Sequence, residues 1–186
     1  MAANEELLVT VNDLDFMPED GNRYEVIEGE LFVSKAPGLP HQIASMNLSW
    51  IFSSFLKVNP IGLIIATPGL IFDKLNGVIP DLVFVSNQRL EQIEHNERLI
   101  AAPELVIEIV SPGSENARRD RIAKRQLYGR FGVKEYWLVD LQNRFIEVLV
   151  IKDRDFKLAA TYKEGDEIRT PLLPDFICKV SDVFSI

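Results

Sequence analysis

The 186-residue sequence predicts an α/β fold: a mixed central β-sheet flanked by helices, with an N-terminal β-hairpin. Three observations predict it. The hydrophobic period switches along the chain in the order hairpin, helix, three strands, helix, strands, which is the pattern of a sheet covered by helices. Two short apolar runs, "LVFV" after Asp81 and "LVIEIV" around Glu108, read as strands buried on both faces. No internal repeat, low-complexity stretch or linker divides the chain, so residues 1–186 are expected to form one domain. Residues 1–20 are read as an N-terminal extension that can hold a short helix.

"GNRYEVIEGELFVSKAP" alternates on both sides of Glu28-Gly29 and predicts the hairpin, with glycine supplying the turn. "HQIASMNLSWIFSSFLKVNP" has Ile43, Met46, Leu48, Ile51, Phe52, Phe55 and Leu56 at helical spacing and stops at Asn59-Pro60, so it predicts an amphipathic helix. "GLIIATPGLIFD" is strand material broken at Pro68-Gly69. "GVIPDLVFVS" is a strand entered through proline, and "ERLIAAPELVIEIVS" is the strand that carries Glu108. Ser114 is suited to cap the helix in "ENARRDRIAKRQLYGRFG", which Gly132 ends. "VKEYWLVDLQNRFIEVLVI" reads as two strands around Gln142-Asn143, and the remainder as short strands turning at Gly165 and Pro171.

Composition excludes several classes. The single cysteine, Cys178, permits no internal disulfide and no multi-thiolate metal site, and is read as a small buried hydrophobe. The opening "MAANEELLVTV" lacks a basic stretch before an apolar one, and no run of about 18 apolar residues occurs. The expected location is therefore the cytoplasm, with no membrane attachment. A formal net charge of −8 argues against a protein that coats nucleic acid without regard to sequence.

The chemistry is expected where carboxylates interrupt apolar strands. An unpaired buried charge costs several kcal/mol, so Glu108 needs a cationic group, a metal or another carboxylate beside it. Asp81, at the start of the preceding apolar strand, is the other acid. On neighbouring strands the two could share a hard divalent cation, Mg²⁺ or Mn²⁺. Asp81 also reads as an acid at a strand end that reaches solvent. In the following helix, at about 100° per residue, Ala117, Lys124, Leu127, Tyr128 and Phe131 fall on one side, so Lys124 lies within an apolar stripe. It can pair with Asp120 one turn earlier, extend to the surface, or point back at Glu108. In the last case two acids, a metal and an amine form the set that phosphodiester hydrolysis needs.

The ordered set "RYEVIEGEL", "HQIASMNLSWIF", "PDLVFVS", "ELVIEIVSPGSE" and "RRDRIAKRQLYGRFGVKEYWLVD" resembles the Uma-two family of bacterial restriction endonucleases, of the restriction-endonuclease-like superfamily with a PD-(D/E)xK signature. The resemblance covers nearly the whole chain and implies a restriction-endonuclease-like fold, Mg²⁺-dependent cleavage of DNA and a homodimer. Asp81 matches the signature aspartate and Glu108 its acid, both as metal ligands. Val110 stands where the signature has lysine, and Lys124 is the residue placed to replace it. Glu25 and His41 match family positions as accessory groups; His41 can be a helix-start cap or a phosphate contact. His95 is read as a solvated surface residue. The competing expectation is a catalytically silent protein that keeps the fold and dimerises through an apolar surface near "KEYWLVD".

Overall fold

The computed structural model describes residues 8–110 and 120–186, without the side chains of Asp120 and Arg121. Two six-stranded sheets and a small two-stranded one make up the strand framework. A 3₁₀ segment, Val11–Phe16, precedes the hairpin β1 (Arg23–Ile27) and β2 (Glu30–Ser34). Glu28 and Gly29 both take positive φ in its turn, which glycine tolerates without cost. Helix α1 (Leu39–Val58) carries Pro40 at its start, where the missing N–H is not needed. There follow β3 (Gly62–Ala66), β4 (Leu70–Asp73), β5 (Asn76–Val78), β6 (Leu82–Ser86), α2 (Asn87–Ile93), β7 (Glu94–His95), β8 (Arg98–Leu99) and β9 (Leu105–Val110). A π-helical turn, Asp120–Lys124, leads into α3 (Arg125–Phe131). The chain continues as β10 (Glu135–Asp140), β11 (Phe145–Lys152), β12 (Asp155–Lys163), β13 (Glu167–Thr170), β14 (Leu173–Lys179) and a terminal turn of helix, α4 (Val180–Val183).

The larger sheet has the order β12-β11-β10-β9-β6-β3. Only β9 and β10 run parallel in it; the other neighbours are antiparallel, so it is mixed as the sequence predicts. Period-two alternation sends Leu105, Ile107 and Ile109 of β9 to one face and Val106, Glu108 and Val110 to the other. The first face packs on Ala44, Leu48, Phe52 and Leu56 of α1 and on β13 and β14, through Phe52, Trp137 and Phe176. The second face packs on α3, through Leu127 and Tyr128, and on the second sheet, β2-β1-β5-β4-β8-β7. Glu108 is therefore aimed into the space between the two sheets.

The structure departs from the sequence reading in three places. Met46 is 65% exposed and Ile43 only half-buried, because the apolar residues of α1 occupy more than one side and the packed side is the one through Ala44, Leu48, Phe52 and Leu56. "EYWLVD" is the central strand β10, buried at all six positions, so it offers no dimer surface. The short helix α2, capped by the Ser86 hydroxyl, was not anticipated within "NQRLEQI". The expected Ser114 cap and the helix start at 114–119 lie outside the described residues. Gly132 ends α3 in the left-handed conformation, φ +86°. Cys178 is buried, and burial with the nearby Asp182 carboxylate pushes its thiol up to about 12. His95 is exposed.

Candidate active site

β6 and β9 are antiparallel neighbours with Leu82 opposite Ile107, and continuing that register sets Asp81 beside Glu108. Directly opposed residues of such a pair project from the same face. The backbone agrees, since the Ile109 N–H donates to Asp81 Oδ2 at 2.8 Å. Both acids are deeply buried, 4% exposed for Asp81 and 3% for Glu108. Asp81 is thus not a strand-end acid reaching into solvent.

Lys124, at the junction of the π turn and α3, reaches into the same space. Its Nζ lies 3.1 Å from Glu108 Oε1 and 3.1 Å from Glu25 Oε1. Of the three orientations open to Lys124 in the sequence, this is the one that points back across the sheet. Any pairing with Asp120 falls outside the described side chains. One turn along the same helix, Tyr128 donates its hydroxyl to Glu108 Oε1 at 2.6 Å. Burial first, and then the charges of Glu108 and Glu25, hold the Tyr128 phenol well above its ordinary value, so it stays a donor. Glu25, on β1 of the second sheet, also accepts from the Ile79 N–H at 2.7 Å. The second sheet thereby closes the site from above.

Asp81 has its own partners. Arg23 Nη1 is 3.1 Å from Oδ1, and His41 Nε2 is 3.0 Å from Oδ2. Burial acts to raise the Asp81 carboxyl, but the His41 hydrogen bond and charge, the Ile109 N–H and Lys124 together outweigh it and leave it below the usual carboxylate range. An ionised carboxylate only accepts, so Nε2 carries the proton in that bond. His41 Nδ1 is buried and has no hydrogen-bond partner among the described residues.

The structure thus brings together Asp81, Glu108, Lys124, Glu25 and His41. Two further members were not singled out in the sequence, Arg23 and Tyr128. Each had a signal. Arg23 lies two residues before Glu25, hence on the same side of β1, and Tyr128 lies four after Lys124, hence on the same side of its helix.

The donor set can be tested against the expected cation. Among the described residues no three His, Cys, Asp or Glu side chains are grouped to hold a metal by themselves. Magnesium does not require such a cage: it commonly takes one or two carboxylates and completes its shell with water and phosphate oxygens. A pair of buried carboxylates, Asp81 just before β6 and Glu108 on β9, fits that habit. It does not fit a metal held by nitrogen or sulfur ligands.

Residues 11–181 match the family model Uma2, described as "Putative restriction endonuclease". The chain is also similar to a crystal structure of "a putative nuclease belonging to DUF820" from Anabaena variabilis. The two are 19% identical over 95% of this chain and 97% of that one, with a TM-score of 0.76. At that identity the likeness shows a common fold, and the fold is restriction-endonuclease-like. No curated protein matches the chain.

Proposed function

This chain belongs to the Uma2 family of putative restriction endonucleases, and from that premise we propose that it is a divalent-metal-dependent endonuclease hydrolysing DNA phosphodiester bonds. The observation that carries the reading is the position of Lys124 Nζ, 3.1 Å from Glu108 and beside the strand that bears Asp81. The amine missing from the strand at Val110 is supplied by the following helix.

Asp81 and Glu108 would hold Mg²⁺ or Mn²⁺, which when bound supplies neutralising charge for the phosphate and acidifies water. Lys124 steadies the negative charge that develops on phosphorus and orients the attacking water; it is assigned no general-base role. Tyr128 holds Glu108 in place, and Glu25 keeps Lys124 directed at the site. His41 and Arg23 fix the two oxygens of Asp81, and Arg23, partly exposed, is also positioned to meet a phosphate. The net charge of −8 gives little long-range attraction for DNA, so binding is expected to involve a homodimer.

A second reading is favoured by one observation: both Asp81 oxygens and Glu108 Oε1 already have protein partners, in Arg23, His41 and Lys124. Such a cluster can also serve a catalytically silent protein. Lys124→Met separates the two. It keeps the packing stem and removes the charge. Under the nuclease reading, Mg²⁺-dependent cleavage of DNA falls at least ~100-fold while calorimetric Mn²⁺ binding persists in Lys124→Met and is lost in Glu108→Gln. Equal cleavage by wild type and Lys124→Met overturns the role of Lys124. Absence of both cleavage and metal binding in the wild type favours the silent protein.

A further inference from the structure

We propose that the outward side of α1 is the face through which two copies of this chain associate, with Trp50 as its anchor. Helix α1 spans five turns, and its residues Leu39, Ile43, Met46 and Trp50 line up opposite the packed residues Ala44, Leu48 and Phe52. Leu39, Met46 and Trp50 are 72%, 65% and 73% exposed. About one residue in four of this chain is charged, yet α1 carries no acid and only Lys57, in its last turn, as a full positive charge. The rest of the outward side is mostly serine, asparagine and glutamine, with Lys57 and Val58 at its end. Depletion of charge with enrichment of tryptophan and methionine is the composition of an interface core rather than of a solvated helix.

The occupant follows from charge and shape. Two chains of net charge −8 repel each other over most of their surface, and a side with no acid and a single lysine is where that repulsion is least. With one lysine, the same side offers little charge to nucleic-acid phosphates. Beside the apolar row a groove of about 330 Å³ runs between α1 and β3, walled by Ser53, Leu56, Lys57, Pro60, Leu63 and Ile64. Trp50 lies about one turn from Ser53, so a projecting side chain and a recess stand next to each other on one surface. Under a two-fold axis each Trp50 meets the other copy's groove, which is the reciprocity an isologous contact requires. The strand at the groove, β3, is also a sheet edge with no strand on its outer side among the described residues, and Leu63 on it is exposed. Burying these residues on both copies removes on the order of 1,000 Å², near the lower bound for a specific interface.

The proposal does not depend on nuclease activity, and its test reads association directly. The full chain is studied by sedimentation equilibrium from low to high micromolar concentration, alongside the fluorescence of its two tryptophans. Trp137 is fully buried, so the accessible signal comes from Trp50. The expected result is a monomer–dimer equilibrium in which acrylamide quenching of Trp50 falls as the dimer forms. Trp50→Glu and, separately, Met46→Glu should weaken the dimer roughly 100-fold or more, as loss of a central aromatic or apolar anchor does, with unchanged circular dichroism and thermal midpoint. Both sites are exposed on a helix, where glutamate is well tolerated. A wild type that stays monomeric overturns the proposal. So does a dimer that survives both substitutions, or one in which Trp50 remains fully quenchable. A complex with another protein that competes with self-association would reassign the face to that partner and equally overturn it.

Discussion

Glu108 Oε1 receives an ammonium at 3.1 Å and a phenol at 2.6 Å from side chains one helical turn apart. That arrangement answers why an acid is tolerated in the middle of an apolar strand. A buried carboxylate held by charge-assisted hydrogen bonds recovers much of its desolvation cost, and one stripped of a partner does not. Tyr128→Phe removes a single oxygen and leaves the ring packed against Phe72 and Tyr136. It should destabilise the fold by about 1.5–3 kcal/mol, the range for a hydrogen bond to a charged group, read from urea midpoints at unchanged slope. A change near zero would mean that Lys124 alone satisfies the oxygen. Asp81, by contrast, is fixed from three directions, by the guanidinium of Arg23, the imidazole of His41 and the Ile109 amide. Its orientation is therefore set independently of α3.

Not every buried acid of the strands belongs to the site. Glu135, at the start of β10, accepts from Trp137 Nε1 at 2.6 Å and Thr170 Oγ1 at 2.7 Å, and so ties the large sheet to β13. Burial raises its carboxyl despite those two bonds. A raised folded-state value means that its contribution is fully present below the ordinary glutamate value, about 4.3, and is lost as pH rises through the folded value. Glu135→Gln keeps an acceptor for Trp137 and does not ionise. Its stability relative to wild type should improve between pH 4 and neutrality, measured as urea midpoints across that range; a gap that stays constant or reverses would contradict the assignment. The same elements show what the sequence could convey. Strands β6, β9, β10 and β11 and helix α1 were legible because period and length agree there. Asp81 and Glu108 stood out because carboxylates are rare in apolar runs. The outward side of α1 was misread because Met46 and Ile43 share the helical spacing of the packed residues, and only tertiary contact tells the two sides apart. The contribution of Arg23 depends on how β1 is laid over β6, a long-range relation that no local pattern contains. The role of "EYWLVD" was likewise decided by its neighbours β9 and β11 rather than by its composition.

In the whole molecule, one sheet face packs on α1 and the other carries the buried acid cluster, with the second sheet as a cover. Among the described residues no helix is long and apolar enough to cross a membrane. The cluster is assembled from α1, β1, the head of β6, β9 and the helical segment at Lys124 and Tyr128, elements drawn from both sheets and both faces, so it forms only when all of these are in place. Its members are held by different elements. Asp81 and Glu108 are fixed by strands inside the sheet, whereas Lys124 sits where the π turn passes into α3, whose Leu127, Tyr128 and Gly129 are buried. Segments held by few buried contacts open at lower free energy than the global transition. Had the lysine stood at Val110 it would persist as long as β9 did. Placed at the N-terminus of α3, it departs whenever that helix lifts. Under the proposed nuclease reading, DNA cleavage on a temperature ramp should fall several degrees below the midpoint seen by far-ultraviolet circular dichroism and return on cooling. Coincident loss of both signals would show instead that α3 and the sheet come apart as one body.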